Sequence, residues 1–186
     1  MGNTARGKLH DAILEKNVFK AEKILDAAPE ILNESSFKDS PMNPLIRACW
    51  GNDLQMVIML CNRGADVNAM INNGHKPVYW CAIRNRLEIL RYLVEDRKAI
   101  YEVADMKGFT IIDHAIANGH YFVAKYLYDK GLRYKSLDFY LLEKDRFYGA
   151  QVDFAHFLDC LETGALTNEY IFMKTEPGIF PKVKIL

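Results

Sequence analysis

The sequence has no excess of charge of either sign. Its 186 residues include 24 basic and 24 acidic side chains, which leave no net charge at pH 7. A nucleic-acid-binding protein needs a basic stripe that displaces counterions from phosphate, and attachment to an anionic membrane surface needs a basic cluster. Because the sequence shows neither feature, we expect neither a nucleic-acid partner nor electrostatic attachment to a membrane.

Long apolar runs are also missing. No stretch approaches the roughly 20 consecutive apolar residues that cross a bilayer, so we expect no stable membrane insertion. The polar N-terminus lacks the apolar segment of a signal peptide. Gly2 stands where N-myristoylation would occur, but Arg6 takes the place of the usual Ser or Thr. The favoured interpretation is therefore an unmodified terminus.

Cysteine is scarce, and no CxxC pair or metal-ligand spacing with histidine is present. The four cysteines are Cys49, Cys61, Cys81 and Cys160. Buried free thiols are typical of such isolated cysteines, and they indicate a reducing compartment and a cytoplasmic location. The motifs of phosphate-binding loops, zinc proteases, serine hydrolases and dinucleotide-binding enzymes are absent too. We therefore predict a protein that is not an enzyme and that holds no metal or cofactor.

What the sequence does contain is a short phrase that returns about every 33 residues. Its copies are Leu9-His10-Asp11-Ala12, Pro44-Leu45-Ile46-Arg47-Ala48, Pro77-Val78-Tyr79-Trp80-Cys81 and Thr110-Ile111-Ile112-Asp113-His114-Ala115. A second marker keeps the same period: Gly64-Ala65-Asp66-Val67-Asn68, Gly131 and Gly164-Ala165-Leu166-Thr167-Asn168. Self-similarity at this period indicates a stack of repeats, in which each unit contacts only its neighbours.

Each period contains two predicted helices. The first helices follow the phrase and are expected at residues 8–16, 44–51, 77–84 and 111–118. The second helices carry apolar residues at helical spacing, for example Leu54, Val57, Ile58 and Cys61. Residues that tolerate a left-handed backbone lie between the two helices, which predicts a tight turn there: Asn52, Asn85 and Gly119. The third repeat has Asp96-Arg97-Lys98 in place of a glycine, so its second helix is expected to end differently.

Together these markers resemble the ankyrin repeat, whose pattern runs from Pro-Leu-His-x-Ala through Gly-His to Val-x-x-Leu-Leu and Gly-Ala-Asp-x-Asn. The resemblance implies an all-α solenoid of paired antiparallel helices. It divides a repeat domain at residues 1–168 into repeats at about 8–40, 41–72, 73–106 and 107–135, and a degenerate fifth at 136–168. Residues 169–186 are an apolar C-terminal extension, for which a cap and a docking peptide are both open interpretations.

The resemblance also implies a protein-protein interaction module, because ankyrin stacks bind partners along a concave face. That face is made by the first helices and by the loops that precede them, which are called fingers. Trp, Tyr and Arg contribute most to such interfaces, and the only two tryptophans fall in one predicted patch. The predicted binding residues are Arg47, Trp50, Trp80, Ile83 and Arg84 on helices, and Met70, Ile71, His75, Met106 and Phe109 at finger tips. For Trp80, packing inside the helix layer is an equal alternative.

Two further hypotheses concern membership of a large complex and a chemical modification of Asn68. The alternative function is a structural subunit of a large cytoplasmic or cytoskeletal complex, held through several surfaces that include the C-terminal extension. Asn68 follows Leu60 and Asp66-Val67 at a spacing similar to that in ankyrin-repeat targets of an asparaginyl hydroxylase. A structural role for Asn68, bridging a turn by hydrogen bonds, is the favoured interpretation.

Overall fold

The computed structural model describes residues 4–35, 42–71, 75–135 and 154–164. Gly2, most of the predicted fifth repeat and the extension at 169–186 lie outside these ranges. Everything below refers to the described part of the chain.

The fold is a row of helix pairs. The first helices are α1 (Ala5–Leu14), α3 (Pro44–Gly51), α5 (Pro77–Ile83) and α7 (Ile111–Ala117). The second helices are α2 (Val18–Ala27), α4 (Leu54–Asn62), α6 (Leu87–Arg91) and α8 (Tyr121–Asp129), and α9 (Phe154–Thr163) lies in the predicted fifth repeat. A 3₁₀ turn, Pro29–Asn33, follows α2. Within the described ranges, β structure is limited to one bridge between Ala104 and Thr110, so the predicted all-α repeat solenoid is confirmed.

Side-chain caps and prolines determine where the first helices begin. The side chain of Asn43 accepts a hydrogen bond of 2.8 Å from Ile46 N, immediately before Pro44. Thr110 and Asp113 form a reciprocal capping box at the start of α7. Proline is favoured in the first turn of a helix because its fixed φ suits the helix and its missing N–H would have no partner there. The repeated phrase is therefore a helix-start signal.

The turns inside the helix pairs have the predicted left-handed residues. The φ angles are 56° at Asn52, 57° at Asn85 and 69° at Gly119, and Lys16 takes 54° in the first repeat. A left-handed residue at this point reverses the chain within a few residues. The two helices of a pair are thereby held antiparallel.

The second helix of the third repeat ends in a wider turn than its counterparts. A π-helical turn, Tyr92–Asp96, follows α6, and the amide of Ala99 donates to Leu93 O. The corresponding bonds in the flanking repeats span one residue fewer: Ala65 N to Leu60 O and Leu132 N to Leu127 O. Lys98, with φ 56°, takes the position of Gly64 and Gly131. The π-helical turn thus accommodates one extra residue and ends the helix without a glycine.

The core lies between the two rows of helices. α3 packs against α1 and α5, and α5 packs against α7, so the first helices form a continuous layer. The largest fully buried side chains are Leu9, Leu25, Leu45, Ile46, Met56, Leu60, Ile89, Leu90, Leu93, Ile111 and Ile112. All four cysteines are buried free thiols. Burial raises the pKa of Cys49, as does its hydrogen bond with the Cys81 thiol of the next repeat.

Candidate functional site

The two tryptophans lie on consecutive first helices and their rings are in contact. Trp50 is near the end of α3 and Trp80 is in the middle of α5. Their ring centroids are 5.0 Å apart, with an angle of 59° between the planes. Both side chains are half-buried, and Trp80 packs against the hydrophobic core. Trp80 therefore combines the two alternatives of the sequence analysis, since it packs on the helix layer and keeps part of its surface open.

Arg84 lies directly over the ring of Trp50. Its guanidinium carbon is 3.9 Å from the ring centroid, and its side chain is exposed. A cation in this position is attracted by the electron-rich face of the indole, an interaction of about 0.5–1 kcal/mol at exposed sites. Ile83, half-buried, precedes Arg84 in the chain. We call Trp50, Trp80, Ile83 and Arg84 the tryptophan patch.

The finger before α5 joins this patch through His75. The imidazole of His75 stacks on the ring of Tyr79 at 3.7 Å with an angle of 13°, and it meets Trp80 edge-on at 5.6 Å. Burial lowers the pKa of His75, and the charge of His114 lowers it further, against the opposing effect of Asp105. His75 is thus a largely neutral aromatic extension of the tryptophan patch.

Behind His75 lies a polar network that the sequence analysis did not predict. His114 Nε2 is 3.1 Å from Asp105 Oδ2 and 3.2 Å from the Tyr79 hydroxyl oxygen. The Asp105 carboxylate and the Tyr79 hydroxyl therefore meet the same nitrogen of the His114 ring. Burial raises the pKa of Tyr79 to about 12, with a further contribution from Asp105. The network therefore ties the finger before α7 to α5 and α7.

Phe109 does not lie at an exposed finger tip, so that prediction was wrong. The side chain is only 5% exposed, and its ring lies 5.8 Å from the ring of His114. The reason is the turn that precedes it, in which the Asp105 carboxylate accepts hydrogen bonds from the backbone amides of Lys107 and Phe109. This turn directs the ring into the core and leaves Met106 outside.

The other predicted finger residues are accessible to different extents. Met70 is 66% exposed and Met106 is 86% exposed. Ile71 is half-buried, and its backbone amide donates to His75 O at 3.3 Å. The two methionines thus project from successive fingers beside the first helices.

Arg47 lies towards the first repeat. Its guanidinium is half-buried, and burial lowers its pKa. It lines a cleft together with Arg6, His10 and Glu34. Burial lowers the pKa of His10, and the charge of Arg47 lowers it further. Arg47 therefore lies where the second repeat meets the first.

Asn68 joins two successive fingers. Its side-chain oxygen accepts a hydrogen bond of 2.9 Å from Ile100 N, and its own amide donates to Asp66 Oδ1 at 2.8 Å. Asn33 makes the same kind of contact one repeat earlier, accepting from Asp66 N at 2.9 Å. These bonds match the structural role that we favoured for Asn68, and its hydroxylation stays a prediction.

Two kinds of site are absent from the described residues. No three side chains of His, Cys, Asp or Glu in these ranges come close enough together to hold a metal ion. No helix in the described part of the chain has both the length and the apolar character needed to cross a membrane.

Known proteins resemble this chain in its repeats. Alpha-latrocrustotoxin-Lt1a of Latrodectus tredecimguttatus is 31% identical over 110 residues, which cover 59% of this chain and 8% of the toxin. The palmitoyltransferase AKR1 of Debaryomyces hansenii is 35% identical over 95 residues, which cover 50% of this chain and 11% of that protein. The palmitoyltransferase AKR1 of Naumovozyma castellii is 30% identical over 79 residues, covering 40% of this chain and 10% of the relative.

The chain spans about a tenth of the length of these relatives, so the similarity concerns a repeat segment and not their whole architecture. The family pattern for ankyrin repeats, in three copies, matches residues 45–138, half of the chain. The matched range contains the helix pairs α3–α4, α5–α6 and α7–α8 and the tryptophan patch between them. The chain belongs to the ankyrin repeat family.

Proposed function

We propose that this chain is a non-catalytic module that binds a partner protein through the face formed by α1, α3, α5 and α7, with the tryptophan patch at its centre. Ankyrin repeats are protein-interaction modules. The observation that carries the proposal is the stack in which Arg84 covers Trp50 and Trp50 meets Trp80, while all three side chains keep surface open to solvent.

This stack has the properties of an interface centre. Trp and Arg are among the residues whose truncation weakens protein complexes most. The mutual contacts of Arg84, Trp50 and Trp80 restrict their side chains before any partner arrives, so binding loses less conformational entropy. The flexible side chains of Met70 and Met106 extend the surface along the fingers, where they adapt to the shape of a partner.

Arg47 and Ile71 complete the proposed surface at its edges, and Phe109 is left out because it is buried. The buried free thiols support a reducing compartment such as the cytoplasm. The relatives named as a toxin and as palmitoyltransferases share only a repeat segment with this chain. That shared segment supports an interaction role and gives no support for either activity here.

The test is a comparison of partner capture by the wild-type protein and by the variants Trp50→Ala and Arg84→Ala. Each variant is also melted, because a binding defect is meaningful only in a folded protein. We expect both variants to lose a small set of partners with little change in melting temperature. The matched control is Phe19→Ala, which removes an exposed aromatic ring on α2 that is covered by Lys23 Nζ at 4.3 Å.

Two results would contradict the proposal. If Trp50→Ala and Arg84→Ala unfold the protein, these residues are part of the core and not of a binding surface. If both variants keep the full set of partners, the protein is held elsewhere. The alternative of an assembly subunit attached through residues 169–186 would then be preferred, and deletion of that segment would be the next experiment.

A further inference from the structure

The proposed surface carries an arginine whose hydrogen-bonding edge is not used within the described chain. The guanidinium of Arg84 lies 3.9 Å above Trp50, and no hydrogen bond or ion pair joins it to another described residue. A guanidinium has five N–H donors and no acceptor. When its flat face rests on an aromatic ring, its edge donors point away from the contact, where they suit a planar carboxylate. The N–H donors of Arg84 are therefore available for two parallel hydrogen bonds to a carboxylate.

A second arginine lies close to Arg84. Arg86, two residues later, donates from Nη2 to Trp50 O at 3.4 Å, which brings a second guanidinium against the patch. Burial is the main cause that lowers the pKa of His120. The charges of Arg86 and Arg84 lower it further, and the hydrogen bond to Ile83 O opposes them. Arg84 and Arg86 thus form one cationic region at the end of α5, beside His120.

Asp53 and Asp105 bond to groups other than these two arginines. The side chain of Asp53 accepts from Met56 N and caps α4, and that of Asp105 is bonded to His114 and the finger backbone. The salt bridges found in the described ranges include neither Arg84 nor Arg86. Two guanidinium groups that form no ion pair within the described ranges are complementary to a partner of opposite charge.

We infer that the partner presents an acidic segment, in which an Asp or Glu side chain pairs with the edge of Arg84 while an adjacent apolar side chain packs on Trp50 and Ile83. This inference rests on the proposed function and specifies the chemistry of its partner. One exposed guanidinium fork matches the two oxygens of a carboxylate. Arg86 is half-buried and already bonded to backbone, so it supplies long-range attraction and not a second fork.

The test begins with a random library of tryptophan-free peptides, displayed against the wild-type protein and against Trp50→Ala. Peptides enriched only on the wild type are synthesised, each with a version in which the acidic residue is replaced by its amide. Binding is followed by intrinsic fluorescence, since both tryptophans of the chain belong to the patch. We expect the amide version to bind the wild type roughly tenfold more weakly or worse, as for loss of a charge-assisted hydrogen bond.

The arginine variants then identify the pairing group. Arg84→Gln should weaken the acidic peptide by a similar factor and leave the amide peptide unchanged, which is the signature of a direct pair in a double-mutant cycle. Arg84→Lys should recover only part of the affinity, because lysine keeps the charge and loses the planar fork. The matched control is Arg133→Gln, which removes another arginine stacked on an aromatic ring, 4.3 Å above Tyr128 and outside the patch.

Four results would overturn the inference. The enriched peptides could lack acidic residues, or the amide substitution could weaken binding to wild type and Arg84→Gln equally. A phosphoserine version that binds more tightly than the acidic one, in an Arg84-dependent way, would replace the carboxylate with a phosphate. If no peptide distinguishes wild type from Trp50→Ala, the acidic segment is also refuted, and the partner-capture comparison above decides separately whether the patch binds protein.

Discussion

His120 Nε2 lies 2.8 Å from the backbone oxygen of Ile83, so the turn between α7 and α8 is fastened to the end of α5 one repeat earlier. Ile83 is the last residue of α5 and Arg84 follows it, so this bond lies next to the tryptophan patch. Burial lowers the pKa of His120. The bond to Ile83 opposes that shift, and the charges of Arg86 and Arg84 add to it. The geometry of the patch thus depends on a histidine that donates from Nε2 across the boundary between two repeats.

This arrangement predicts that stability falls in mildly acidic solution. The pKa of His120 is lower in the folded protein than the value of about 6.5 in an unfolded chain, and the pKa values of His10 and His75 are lowered too. The unfolded state therefore binds more protons as the pH falls, and the free energy of unfolding decreases from about pH 7 towards pH 5. Urea unfolding across this range measures the slope.

The control for the pH effect is His120→Gln. Glutamine keeps an N–H donor for Ile83 O but does not titrate, so the slope should become smaller and not vanish, because His10 and His75 still contribute. An unchanged slope would show that His120 is not responsible.

A second prediction concerns the backbone at Lys98. This residue has φ 56°, a left-handed conformation that costs free energy for any residue with a Cβ atom. Lys98→Gly should therefore raise the free energy of unfolding by about 1 kcal/mol, less the small contribution of the exposed bond from Lys98 Nζ to Glu95 O. Chemical denaturation of the purified variant measures the change.

The opposite substitution in the preceding repeat provides the comparison. Gly64 has φ 93°, and no heavy atom lies within 4 Å of the position that a Cβ would take, so Gly64→Ala tests backbone conformation without a steric clash. It should lower the free energy of unfolding by about 1 kcal/mol. Changes of the same sign in the two variants would contradict the explanation.

Asp113 should be among the least replaceable polar residues. Its fully buried carboxylate accepts hydrogen bonds from Thr110 N at 2.8 Å and, 22 residues along the chain, from Lys135 N at 2.9 Å. Asp113→Ala leaves both amides without this acceptor, and we expect a loss of about 2–3 kcal/mol, measured by thermal and urea unfolding. Asp129→Ala, which removes the exposed ion pair with Lys125, is the control and should cost about 0.5 kcal/mol or less. Equal losses would argue against the capping role.

The paired asparagines of the fingers give a fourth prediction. Asn33→Ala and Asn68→Ala each remove one hydrogen bond to the backbone of the next repeat, and each should cost about 1 kcal/mol. Because the two side-chain bonds join different pairs of repeats, the double variant should lose close to the sum of the two losses in urea unfolding, although Asp66 bonds to both asparagines. A clear departure from additivity would mean that the fingers respond as one unit.

The sequence predicted the helix pairs and their turns because these depend on local chemistry. Pro44 and Pro77 start helices, and Asn52, Asn85 and Gly119 reverse the chain, whatever surrounds them. It also placed Trp50, Trp80 and Arg84 together, since equivalent residues of stacked repeats become neighbours.

Other features depend on three-dimensional contacts that spacing does not reveal. The inward direction of Phe109 follows from how the Asp105 carboxylate folds the finger. The link between Asp105, His114 and Tyr79 joins residues from a finger and two helices. The sequence indicated only that His114 stands at the same position in its repeat as Trp80 does in the preceding one. The absence of glycine near Lys98 predicted an unusual helix end but not a π-helical turn.

The π-helical turn at Tyr92–Asp96 has a consequence for how repeat length changes over evolution. An insertion within a helix would ordinarily rotate every later side chain by about 100°, given 3.6 residues per turn. Here the additional residue is taken up before Ala99, and α7 still packs against α5 as α5 packs against α3. Neighbouring units are aligned by the contacts between them and not by a fixed number of residues. Single-residue insertions and deletions at such helix ends are therefore a neutral route by which repeat proteins diverge in length while the arrangement of their surface side chains is preserved.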